Sequence, residues 1–277
     1  MRTSAKGVLA MVFFAFSCFT GCRADEKDMT QVTVEALIAQ LALIDTQGPG
    51  LHGTAIVGGF IGTDSPPTML KGVIGSPRPN VSPAMRELVR RGAEAIPLLV
   101  AHIDDATPTK LVIGEDGKDK FWFMWRVFTS EYDPPDGESR EISVEEYKEL
   151  REKDRNFDGP YTVKVGDVCF AILGQILGRQ YVPVGYRPTA GLAVNSPIES
   201  PELAEWVKRD WQHFDKQKHR ELLLKDAHKN ADSVWHAVMS LERLRFYFPD
   251  EYAQQARNGG LKSVIEAFEK AEKDISK

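Results

Sequence analysis

Asp154, Asn156 and Asp158 alternate ahead of Gly159. Carboxylate, amide and carboxylate at every second position, followed by a glycine for the tight turn, is how a loop presents oxygens to calcium at about 2.3–2.6 Å. Such a loop also needs a bidentate acid at its twelfth position. That position is Val165, and Asp167 is two residues out of register. An Asx-rich turn between two helices explains the same residues and is favoured. Gly48-Pro-Gly50-Leu-His-Gly53 spells G-x-G-x-x-G. A dinucleotide site needs a strand before that motif and a helix directly after it, whereas here a helical pattern precedes and more glycine follows. Cys169 would be a nucleophile only beside a histidine and open to substrate. It sits among Val168, Phe170, Ile172 and Leu173, which predicts a buried, inert thiol.

The histidines are His52, His102, His213, His219, His228 and His236. Asp215 and His219, like His228 and Asp232, stand four apart on predicted helices, but no third ligand follows from spacing. His102 beside Asp104 and Asp105 fits a helix C-terminus, where an imidazole meets the dipole, as well as it fits a metal. No phosphate loop, nucleophile elbow or H-E-x-x-H zinc helix occurs. The catalytic and metal-ligating sets are therefore empty, and no cofactor is expected. Tyr186-Arg187-Pro188 and the aromatic run Phe121-Trp-Phe-Met-Trp125 could line a groove, but packing of a hairpin on helices accounts for them.

The elements that must position these residues are mostly helical. Val34, Leu37, Ile38, Leu41 and Ile44 share one helical face after Thr33. Residues 48–80 hold eight glycines and five prolines and read as loop. Ser82-Pro83 and Ser200-Pro201 are helix starts, each a capping hydroxyl followed by proline at the first helical position. Helices are predicted over 83–91, 94–103 (Ile96, Leu99, Val100 and Ile103 inward), 143–154, 165–178, 201–228, 232–247, 249–257 and 261–275. The 168–178 run is apolar nearly all round, as a central buried helix would be. Leu111-Val-Ile113, a Gly114–Gly117 turn and Phe121–Phe128 predict an inserted hairpin at about 111–129. The charged stretch 201–230 reads as a solvated outer face, with Leu203, Trp206, Val207 and Phe214 inward. Loop 180–200 is Pro-rich.

Composition agrees with a globular chain. The 277 residues are 42% hydrophobic and 27% charged, with 35 basic against 40 acidic side chains. That balance gives no basic face for nucleic acid. Three cysteines cannot build a disulfide scaffold. Arg2 and Lys6 precede fifteen uncharged residues, Gly7–Gly21, a run too short to span a hydrocarbon core of about 30 Å. It ends Phe19-Thr20-Gly21-Cys22, which resembles the lipobox of bacterial lipoproteins, with Phe19 where leucine is usual. The resemblance implies a signal peptide over 1–21, lipidation of Cys22, a tether over 22–32 and a single mostly helical domain over 33–277. Arg23 after the cysteine implies, by analogy with lipoprotein sorting, the periplasmic side of an outer membrane.

Ala95-Ile-Pro-Leu-Leu-Val-Ala-His-Ile-Asp-Asp105 resembles the first helix of a HEAT-type repeat. Val165-Gly-Asp-Val-Cys-Phe-Ala-Ile-Leu-Gly-Gln-Ile176 resembles the second, with a small-Leu-Gly step that lets helices approach. Some sixty residues separate the halves, and no second copy recurs at a period of about 40–47 residues. Arg86–Gly92, His102–Asp105, Val165–Cys169 and Asn195-Ser-Pro197 are similar to a group of bacterial exported lipoproteins with no assigned activity. The expectation is a mainly α fold with HEAT/armadillo-like packing and a small β insert. Its function would be that of a lipid-anchored, non-catalytic interaction or scaffold protein of the cell envelope, with a protein partner. The alternative is an envelope hydrolase or divalent-metal-binding protein built on the Asp154–Asp158 loop with Asp167.

Overall fold

The computed structural model describes residues 28–45, 60–63, 81–113, 132, 160–186, 192–228 and 234–275. The signal segment, Cys22, the second predicted strand 121–128, the helix at 143–154 and the Asp154–Asp158 loop lie outside the described residues. So does the Gly48–Gly53 motif.

The architecture is mainly helical. A short 3-10 turn, Asp28–Gln31, precedes α1 (Val34–Gln40), and a second turn, Leu41–Leu43, extends it. Thr33 Oγ1 accepts from Ala36 N and caps α1. All five apolar residues of its predicted stripe are buried. The turn at 28–31 falls within the expected tether. It is held by Arg91, whose Nη2 donates to the carbonyls of Thr30 and Val32 at 2.9 and 2.8 Å.

Helix α2 (Pro83–Arg91) starts as expected, with Ser82 Oγ accepting from Met85 N. Helix α3 (Ile96–Ala101) begins two residues later than periodicity suggests. Pro97 sits in its first turn, where a missing N–H costs nothing, and a 3-10 turn, Gly92–Glu94, fills the gap. Ile96, Leu99, Val100 and Ile103 all face inward.

Among the described residues two strand pairings occur that the sequence pattern did not predict, while the second strand of the expected hairpin lies outside them. Strand β1 (Pro108–Ile113) pairs antiparallel with β2 (Tyr161–Lys164), some fifty residues on, with Val112 opposite Thr162 and Ile113 opposite Tyr161. Alternate burial along β1 puts Thr109, Leu111 and Ile113 inward. Val163 is the buried residue of β2. The stretch read as a Pro-rich loop holds a second pair, β3 (Val184–Tyr186) against β4 (Leu192–Val194). Loop chemistry concealed it, since strands of three residues show little alternation.

Helix α4 (Val165–Leu177) is buried at every position, as its all-round apolar character requires. It packs against α2 and α3, and against two helices that follow it. The Gly174 step behaves differently from its HEAT-like reading. A Cβ there would stand 2.8 Å from Arg179 O and 2.9 Å from Tyr181 Cβ, so the glycine admits the chain's own return, not a neighbouring helix.

The predicted helix 201–228 is two: α5 (Pro201–Trp211) and α6 (Lys216–His228). Phe214 turns edge-on to Trp211 at 4.9 Å, and Asp215 Oδ1 accepts from Lys218 N at 2.9 Å as an N-cap. The run of charges concealed that cap. Leu203, Ala204, Val207 and Trp211 form the inward stripe of α5. Trp206, expected inward, is 44% exposed because it falls off that four-residue spacing.

Helices α7 (Val234–Tyr247), α8 (Pro249–Asn258) and α9 (Lys262–Ile275) follow one another closely. Helix α7 packs on α4 and α6, α8 on α7, and α9 on α8. A second apolar cluster gathers here around Leu223, Leu241, Leu244, Leu261 and Ile265, and Tyr247 packs against both clusters. No helix among the described residues is long and apolar enough to cross a membrane.

Candidate functional site

Two constellations of polar side chains are built into this core. The first surrounds Asp167 in the first turn of α4. Its Oδ2 accepts from Lys164 N at 2.8 Å and from the Tyr161 hydroxyl at 2.9 Å. Its Oδ1 accepts a short hydrogen bond from Ser196 Oγ, which in turn accepts from Ile198 N at 3.0 Å. Helix α4, strand β2 and the loop after β4 thus meet on one carboxylate. Burial pushes the Asp167 carboxyl up and the three donors pull against it, with burial prevailing. Burial and the neighbouring Asp167 push the Tyr161 hydroxyl up as well. Ser196 and Asp167 are both closed to solvent, and of the described histidines His102, His219 and His228 pair elsewhere. This arrangement supplies a cap and a three-way tie between elements.

The second constellation was not singled out in the sequence. Arg243 of α7 is 1% exposed. Its Nε donates to Gln175 O of α4 and its Nη1 to Met239 O at 2.9 Å. Burial disfavours its charge, and Glu242 at 3.6 Å opposes that effect. Its guanidinium carbon lies 4.8 Å from the centre of the Phe60 ring. Phe60 is also edge-on to Phe246 at 5.1 Å and to Tyr247 at 5.8 Å. Ile61 N donates to Gln175 Oε1 at 3.2 Å, and Arg90 Nε donates to Gly62 O at 3.1 Å. Residues 60–63 of the Gly/Pro-rich stretch therefore sit in a socket made by α2, α4 and α7. The one sequence signal was Phe60-Ile61, an apolar pair flanked by Gly58, Gly59 and Gly62. Alongside, Arg179 and Asp226 form a largely buried ion pair at 2.6 Å.

The residues weighed from the sequence fall apart in space. Cys169 is buried, and burial, with Asp105 and Asp167 adding to it, pushes its thiol up, against nucleophilic use. His219 turns away from Asp215. Its Nε2 pairs with Ile176 O at 3.0 Å, and the ring packs against Phe214, Tyr247 and Phe248. Burial pushes its imidazole down to about 4. His102 Nδ1 lies 3.0 Å from Asp105 Oδ2. Asp105 is held below the ordinary carboxylate value: burial would raise it, but hydrogen bonds from Thr107 and His102 outweigh that. Asp104 is likewise lowered, by Lys208 at 2.6 Å. His228 Nδ1 pairs with Leu224 O at 2.7 Å. Asp232, Arg187 and Pro188 lie outside the described residues, and only the backbone of Tyr186 is described. Among the described residues, no three or more His, Cys, Asp or Glu side chains converge as a metal site. No family model, curated protein or solved structure matches the chain.

Proposed function

We propose that this chain is a lipid-anchored, non-catalytic interaction protein of the cell envelope, its helices stacked in the HEAT-like manner to offer a surface to a protein partner. The observation that carries the reading is the uncharged run Gly7–Gly21, which stops at Cys22 just where Arg-Ala-Asp-Glu-Lys begins. The character of the fold supports it, since stacked helices present extended faces suited to holding a partner. The buried polar groups of the described core support it too: Asp167, Ser196, Arg243 and His219 each hold one element to another.

The rival reading, a divalent-metal or hydrolytic protein, rests on the alternation of Asp154, Asn156 and Asp158. Asp167 is a poor third ligand for such an ion. Recruiting it would unmake the cap of α4 and take from the buried Ser196 hydroxyl its acceptor.

Metabolic labelling with an alkynyl fatty acid tests the anchor. The wild type is expected to carry the label and Cys22→Ser to lose it. Equal labelling of both, or none in either, refutes the proposal.

A further inference from the structure

We propose that the outer face of α1 and of the turn after it, formed by Ala36, Ala39 and Leu43, lies on the lipid surface to which Cys22 fixes the chain. The inference rests on the anchor proposed above and adds which side of the body meets the bilayer. The element Val34-Glu-Ala-Leu-Ile-Ala-Gln-Leu-Ala-Leu-Ile44 is apolar at nine of its eleven positions. A helix apolar nearly all round belongs where it is covered all round. The fold covers one side of this one. Val34, Leu37, Ile38, Leu41 and Ile44 are buried, whereas Ala36, Ala39 and Leu43 are exposed, Leu43 by 60%. Among the described residues, Leu43 and Trp206 are the large apolar side chains left exposed. Spacings of three and four residues set Ala36, Ala39 and Leu43 along one stripe, with Glu35 and Gln40 at its rims.

What covers the open side follows from where the docked chain begins. Met29 is buried in the main core, and Arg91 Nη2 holds the carbonyls of Thr30 and Val32, so the turn Asp28–Gln31 belongs to the body. Six residue steps separate Asp28 from Cys22. At full extension they reach about 20 Å, and no path they take can place the start of α1 farther than that from the anchored cysteine. The first helix after the lipid is thus the one with an unfilled apolar side. A bilayer covers such a face as it covers interfacial helices, with the stripe at the boundary of headgroups and acyl chains and Glu35 left at the water's edge. Residues 28–45 contain no lysine or arginine, so the contact is apolar and not electrostatic. The anchor makes it intramolecular, and a stripe too small to hold a free protein on a membrane then suffices.

The test uses the full chain, its lipid checked by mass, in vesicles of phosphatidylethanolamine and phosphatidylglycerol. Leu43→Cys and Glu266→Cys are each labelled on the new thiol with a nitrobenzoxadiazole fluorophore, Cys169 being buried. Position 266 is exposed on α9, which packs on α8. A spin-labelled lipid in the vesicles is expected to quench the probe at 43 about threefold more strongly than the probe at 266, at low and high salt alike. Adding Ala39→Glu, a charge on the exposed stripe, should cut the quenching at 43 at least twofold. Equal quenching at the two positions overturns the proposal. So does quenching at 43 that Ala39→Glu leaves unchanged, because the anchor alone would then bring the probe near. A probe at 43 shielded from water yet untouched by the quencher assigns the face to a protein, a second copy included, and overturns it as well. A chain without lipid by mass overturns the anchor and this inference together, whereas a lipidated chain with an unquenched probe overturns this inference alone.

Discussion

At the scale of single residues, the polar side chains buried in this protein act as ties between elements. Asp167 receives three donors from its surroundings, so its removal takes the carboxylate from the Ser196 hydroxyl and leaves the Tyr161 hydroxyl with Ser196 Oγ at 3.2 Å. Asp167→Ala is expected to cost about 3 kcal/mol, combining a lost N-cap with an unsatisfied buried hydroxyl at Ser196. Tyr161→Phe should cost less, and urea unfolding of the two single variants and the double would give strong coupling between them. If the costs simply add, the tie is not energetic. His219 makes a pH prediction. Its folded value of about 4 lies below the ordinary 6.5, so the native state binds fewer protons than the unfolded chain between those limits. Stability then falls as pH drops from 6.5 toward 4, by at most about 3 kcal/mol. The charge facing His219 is the Arg243 guanidinium, which adds to the depression. In His219→Gln this part of the slope should vanish from a series of urea midpoints against pH.

At the scale of elements, the junctions decide geometry. Gly92 ends α2 at φ 57° and ψ −127°, which side chains rarely adopt, and the Tyr247 ring fills the space where a Cβ would go, 2.7 Å away. Tyr247 is also the residue that joins α7 to α2 through Val89 O. Gly92→Ala is therefore expected to destabilise by about 2–3 kcal/mol, from backbone strain and displacement of that ring. A thermal melt should show a midpoint lower by several degrees, and an unchanged midpoint would mean that the ring moves aside without cost. The caps show how far local chemistry reaches. Ser82 and Ser200 start their helices as the Ser-Pro pairs announce, because a cap is settled within four residues. The break at Phe214-Asp215 obeys the same chemistry. It was hidden because the lysines, arginines and glutamates before and after it are good helix formers.

At the scale of the whole molecule, the interaction and metal readings separate in one titration. Calcium added to the full chain is expected to leave the melting temperature unchanged, since an Asx turn gains nothing from the ion. A midpoint that climbs with calcium concentration, as RT ln(1 + [L]/Kd) requires, and no longer does so in Asp158→Ala, would favour the metal loop. The described core gives calcium little to join. Asp167 already meets three donors, and the carboxylates of Asp104 and Asp105 are engaged by Lys208 and by Thr107 and His102.

What was legible in the sequence is what nearest neighbours along the chain decide. The apolar run of α4, the stripes of α1 and α3 and the two Ser-Pro caps follow from i to i+4 geometry, and each appears where local pattern places it. The burial of Cys169 was legible in the same way, because apolar residues flank it in the sequence. Strand partners were not. Leu111–Ile113 carried the alternation of a strand but no mark of its mate, and Tyr161–Lys164 lies across from it only because α4 directly follows β2 and packs on α3. Nor could spacing tell that an arginine on α7 would be buried against Phe60, a residue 183 positions earlier in a glycine-rich stretch. A charge enters a core only where distant carbonyls and a ring receive it, and those partners come together only in the tertiary fold.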